Sequence, residues 1–146
     1  MSPSRGSPPP YDTAAARVVY IFVVTWALDT GCYVTGRWLG GPKLAPRISP
    51  NKTFGGAAGG VVWATAASVI CAVLLRILPA FDAIVLGVCI GLFGQIGDLW
   101  ESSIKRELGI KDFGGILPGH GGALDRFDSL FLSLPIAVLY FGAFHP

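Results

Sequence analysis

The chain has 146 residues, 52% of them hydrophobic and 14% charged, with a net charge of +2. A soluble domain carries about 25% charged residues. That deficit, with a positive mean hydropathy, argues against an ordinary soluble domain and for an integral membrane protein. So small a net charge gives no electrostatic footprint for nucleic acid, and none is expected as a partner.

Residues 1–13, MSPSRGSPPPYDT, are rich in Pro and Ser and read as a disordered tail unlike a signal peptide. The remainder, residues 14–146, reads as one transmembrane domain. The first apolar segment, residues 14–36, is long enough to cross a bilayer as a helix. It carries one acid, Asp29, in the run Asp29-Thr30-Gly31-Cys32-Tyr33. An intramembrane carboxylate marks a functional site unless it is hydrated near a helix end or held by a neighbour such as Thr30 or Tyr33.

Residues 37–56 break the helical pattern, because Pro42, Pro46 and Pro50 exclude a continuous helix. Arg37, Lys43, Arg47 and Lys52 occur there without an acid. Two readings stay open: a topology signal alone, or a phosphate-binding loop in which Ser49, Asn51 and Lys52 supply hydroxyl, amide and ammonium donors. The second segment, residues 57–78, is uncharged up to Arg76. Gly55, Gly56, Gly59 and Gly60 at its start have the spacing that lets membrane helices approach closely. The third segment begins at residue 81 or 83 and runs to 105. Asp98, Glu101 and Lys105 lie at i, i+3 and i+7, on one face of that helix. The fourth begins at residue 122 or 125 and runs to 144, with Asp125 and Asp128 in its first turn, where acids also suit the helix dipole. Cys32, Cys71 and Cys89 all lie in apolar runs without metal-ligand spacing and read as small core- or lipid-facing residues.

The expected fold is therefore all-α: a polytopic membrane protein of about four transmembrane helices, with catalytic loops on one face. The loops after the first and third segments hold Arg37, Lys43, Arg47, Lys52, Lys105, Arg106, Lys111 and Arg126, eight of the eleven Lys and Arg residues. The positive-inside rule places both loops in the cytoplasm and both termini outside.

The densest chemistry lies in residues 102–128, SSIKRELGIKDFGGILPGHGGALDRFD, where cations, acids and glycines crowd between two apolar segments. Glycines let a backbone approach phosphate closely, and cations mixed with acids suit a phosphate ester and its metal ions. If this loop folds back, Asp98 and Asp125 converge, and paired carboxylate oxygens suit Mg²⁺. Lys52, Lys105, Arg106, Lys111 and Arg126 would then bind the remaining phosphate oxygens. His120, flanked by glycines, reads either as a phosphate donor or general acid/base, or as a residue that stabilises its own loop.

Here the sequence resembles a family. Ser102-Ser103-Ile104-Lys105-Arg106, Lys111-Asp112, Leu117-Pro118-Gly119-His120-Gly121-Gly122 and Leu124-Asp125-Arg126-Phe127-Asp128 resemble the signature of the phosphatidate cytidylyltransferases, or CDP-diacylglycerol synthases. Asp29–Tyr33 with Gly36-Arg37, Ile48–Thr53, and Gly94–Ser102 look like the same family. The resemblance spans about residues 25–140. It implies that CTP and phosphatidic acid are converted to CDP-diacylglycerol and pyrophosphate at the membrane. It also implies Mg²⁺, held by Asp98 and Asp125 in a metal centre that can pair it with K⁺. Lys105, Arg126 and His120 are carried over as catalytic positions. Ser49, Asn51, Lys52, Arg106, Lys111, Asp128 and Glu101 are carried over as substrate-binding or supporting positions. A homodimer is the oligomer the resemblance suggests, and the inner membrane, with the site facing the cytoplasm, is the expected location.

Departures from the pattern are Ala123 for a larger aliphatic, Phe54-Gly55 for Trp-Glu, and Cys32 for Ala. The largest is length: family members are nearly twice as long, so the chain reads as the C-terminal, catalytic half behind an unrelated tail. Two other readings compete with the enzyme: a truncated, inactive fragment of the family, and a small ion-conducting or transport module with Asp29, Asp98 and Lys105 along its path. Charges clustered at one face disfavour the module, which needs polar groups through the full depth.

Overall fold

A computed structural model describes residues 13–110 and 128–144. Of the N-terminal tail read as disordered, residues 1–12 lie outside the described residues, and Thr13 opens the first helix. Four helices and one small hairpin follow in chain order: α1 (Thr13–Leu39), β1 (Lys43–Ala45), β2 (Ser49–Thr53), α2 (Phe54–Leu75), α3 (Ala80–Glu107) and α4 (Asp128–Phe144). By length and composition α1, α2 and α3 can each cross a membrane. The 17 residues of α4 stand at the short end of the spanning range. Its Pro135 lacks an N–H for the helical ladder, which membrane helices tolerate when neighbours satisfy the freed carbonyl.

Local sequence explains each boundary. The first helix continues past Gly36 to Leu39 and ends where Gly40 and Gly41 take φ of 57° and 96°, values open mainly to glycine. Pro42 follows, and its carbonyl accepts from Phe54 N–H at 3.1 Å, closing the base of the hairpin. The loop read as merely non-helical is thus an antiparallel pair, with Lys43 opposite Thr53 and Ala45 opposite Ser49. Thr53 then caps α2, its Oγ1 accepting from Gly56 N–H at 3.1 Å. The third helix ends in a wrap at Gly109, whose N–H donates to the Arg106 carbonyl while Ile110 N–H donates to that of Lys105.

The helices pack in sequence, α1 on α2, α2 on α3 and α3 on α4, with α4 also reaching α1. What lets α1 approach α2 is a ladder of small residues. Gly56, Gly60, Ala64, Ser68 and Ala72 are the buried positions of α2, spaced four apart on one face. A Cβ on Gly56 would stand 2.8 Å from the Cys32 carbonyl oxygen and 3.0 Å from Gly36 Cα. On the other side, a Cβ on Gly87 of α3 would meet Thr65 Cα at 2.8 Å. Between the helices lies a core of Tyr20, Val24, Leu28, Leu86, Ile90, Ala137 and Phe141. Large apolar side chains such as Val62, Leu74, Phe81 and Leu139 point outward, as a lipid-facing surface requires.

Polar groups at the end away from the hairpin tie the helices together. Ser68 Oγ donates to the Ala83 carbonyl, so the Tyr20 hydroxyl, 2.5 Å from Ser68 Oγ, is the donor to serine. Tyr140 donates to Asp82 at 3.0 Å, joining α4 to α3. Arg17 sits 5.0 Å over the Phe141 ring, joining α1 to α4. Such bonds contribute little in a membrane, because the separated helices find other partners. Tyr20→Phe is expected to lower stability by about 1 kcal/mol or less, read by reversible unfolding in mixed detergent micelles.

Candidate active site

At the hairpin end, all four helices and the hairpin enclose a cavity of about 640 Å³. Its polar wall holds Asp29, Ser49, Asn51, Lys52, Gln95, Asp98 and Ser129; Trp26, Leu28 and Leu44 are among its apolar lining. The polar part suits phosphate and the apolar part suits chain or ring atoms.

Each polar group is positioned by its element. Asp29 lies ten residues before the end of α1, about 15 Å along the helix axis. A hydrogen bond of 2.7 Å from Ser129 Oγ on α4 reaches its Oδ1. Leu28, next to it, packs directly on the α3 backbone, because a side chain at Gly94 would stand 2.6 Å from Leu28 Cδ2. On α3, Gln95 and Asp98 are one turn apart and share a face. The Gln95 amide donates to the carbonyls of Ala57 at 3.0 Å and Gly91 at 3.1 Å, fixing α3 against α2 beside the cavity. Asp98 Oδ2 forms an ion pair with Lys52 Nζ, carried in by β2. Ser102 Oγ approaches Asp98 Oδ1 only at 3.5 Å, the long limit for a hydrogen bond.

Of the other expected site residues, those that are described do not line the cavity. Glu101 Oε1 and Lys105 Nζ pair at 2.8 Å, and neither lines the cavity. Arg106 Nε donates to the Ile48 carbonyl at 3.3 Å, strapping the end of α3 to the hairpin. Lys111, His120, Asp125 and Arg126 lie outside the described residues, as does the side chain of Asp128, the first residue of α4. Asp29 was singled out in the sequence by its depth; Gln95 and Ser129 were not, although a lone amide within an apolar helix is itself a signal.

The donor set can be tested against the implied metal. Among the described residues, no group of three His, Cys, Asp or Glu side chains forms a cage. Mg²⁺ does not need one; it takes one or two carboxylates and completes its shell with water and substrate phosphates. Asp98 is a hard oxygen donor facing an open cavity, and it already holds a cation in Lys52. The residues fit such a group, and Asp98 is the described residue that would hold it.

Residues 7–144 match the model of the cytidylyltransferase family. The chain belongs to that family. Among similar proteins is a phosphatidate cytidylyltransferase of Brucella suis biovar 1, 46% identical over 123 residues, covering 84% of this chain and 46% of the relative. Proteins of the same name from Bacillus subtilis (46% identical over 125 residues, 85% of this chain, 46% of the relative) and Staphylococcus saprophyticus (44% over 134 residues, 86% and 50%) are also similar. The chain spans about half the length of these curated relatives. This cytidylyltransferase-family chain is an integral membrane protein on two grounds: its three apolar helices of spanning length and its kinship with these proteins.

Proposed function

We propose that this chain performs phosphatidate cytidylyl transfer: a phosphate oxygen of phosphatidic acid attacks the α-phosphorus of CTP, the bond from that phosphorus to the bridging oxygen breaks, and pyrophosphate leaves. The product is CDP-diacylglycerol. The observation that carries the reading is the cavity itself, where ammonium, hydroxyl and amide donors face the same space as Trp26, Leu28 and Leu44, in a chain whose relatives are named phosphatidate cytidylyltransferases.

Lys52, Ser49 and Asn51 bind and orient phosphate oxygens, while Trp26 and Leu28 exclude water from the lipid side of the cavity. Asp98, with Asp125, would hold Mg²⁺, and K⁺ is the proposed companion. When bound, Mg²⁺ supplies positive charge against the phosphate oxygens. The basic loops favour a cytoplasmic active face in the inner membrane, with a second copy as the proposed partner.

The test is incorporation of labelled CTP into a chloroform-soluble product by membranes holding only this chain. Incorporation that requires phosphatidic acid and is abolished by chelating Mg²⁺ is the expected result. No incorporation by a well-inserted chain would overturn the proposal for this chain alone and favour the inactive-fragment reading.

A further inference from the structure

The cavity holds two carboxylates, Asp29 and Asp98, and among the described residues one ammonium, Lys52. That ammonium does not face open space; it sits on Asp98 Oδ2. Lys52 and Asp98 are 46 residues apart, and each side chain is 24% exposed. This is a largely desolvated pair, held by the hairpin on one side and α3 on the other. A divalent cation ligated by that oxygen would bring a second positive charge within a few ångströms of the ammonium, and the two repel each other in so poorly hydrated a place.

We infer that Lys52 is the built-in counter-ion of Asp98 and is displaced when a divalent cation binds that carboxylate. The cation and Lys52 compete for one oxygen. Its arrival frees the ammonium into a cavity where Ser49 and Asn51 already offer polar groups to a phosphate. Lys52 is thus a positioning residue with two partners in turn: the carboxylate first, the anionic substrate second. Cation binding and phosphate binding are coupled through it, each favouring the other. The inference rests on the nucleotidyltransferase reading for the nature of the cation and the phosphate; the competition itself rests on the ion pair.

The competition has an unusual sign, because removing a residue from the site should tighten binding there. The probe is Mn²⁺, followed by loss of the free-ion electron paramagnetic resonance signal. The full chain is held in lipid nanodiscs without nucleotide, so no turnover is read. Lys52→Met is expected to bind Mn²⁺ about tenfold more tightly than wild type, and Lys52→Gln likewise. Lys52→Arg keeps the charge and should stay within about twofold. Arg47→Met removes an exposed cation from the same hairpin without touching Asp98, and should also stay within about twofold. Asp98→Asn should lose the binding.

If Asp98→Asn loses binding but both neutral Lys52 variants bind no more tightly than wild type, the competition is refuted and the metal assignment stands. An equal gain in Arg47→Met would also overturn it, since general charge would then explain the effect. If Asp98→Asn binds Mn²⁺ as wild type does, the metal assignment fails and the competition falls with it.

Discussion

Asp98→Asn is expected to lower cytidylyl transfer by about a thousandfold or more, the scale on which removing a preorganised charge acts in an active site. The substitution is nearly isosteric, and Ser102 can still reach the amide oxygen. It removes the charge that Lys52 holds and that a metal would need. The expected pattern is therefore a protein that inserts and purifies normally, with initial rates in proteoliposomes near background. Near-normal Mg²⁺-dependent turnover in the variant would remove Asp98 from the chemistry. The adjacent pair gives a useful contrast. Glu101 and Lys105 pair with each other and do not line the described cavity, so a Glu101 variant should leave the Lys52–Asp98 pair in place.

Gly56→Ala is expected to cost about 1–3 kcal/mol of stability, a large effect for one methyl group. The added carbon would stand 2.8 Å from the Cys32 carbonyl oxygen and 3.0 Å from Gly36 Cα. Both obstacles are backbone, so no rotamer change relieves them, and α1 must move away from α2. Gly56 also lines the cavity, and Thr53, which caps α2, carries the strand that brings in Lys52. Stability and turnover should therefore fall together. Gly142→Ala is the control: nothing lies within 4 Å of its Cβ position, and it should stay within about 0.5 kcal/mol. Reversible unfolding in mixed micelles compares the two. Equal stabilities would mean that the α1–α2 contact is slack.

Much of this arrangement was legible because a membrane imposes simple rules. Apolar length located α1, α2 and α3, and the glycine pairs near residue 56 marked the tight helix contact. Asp29 stood out because a carboxylate within a span is costly. The hairpin was less legible: its strands are three and five residues long and contain or adjoin prolines, which read as breakers rather than strand formers. The continuation of α1 beyond Gly36 was also hidden. Glycine usually weakens a helix, but here Gly36 makes room for Thr53 and Gly56 of the neighbouring element. Least legible was the partner of Asp98. Local spacing pointed to Glu101 and Lys105 on the same helix face, whereas the cation that reaches it comes from a strand 46 residues away. Periodicity reports which residues share a face; it does not report which distant element that face meets.

The hydrogen bond from Ser129 to Asp29 spans 100 residues of chain. A polypeptide is made from its N-terminus, so the helix bearing the carboxylate is synthesised before the one bearing this hydroxyl. The bond to Asp29 therefore cannot form until α4 has been made. The contact thus marks a late step of assembly, made only when α4 has docked beside α1.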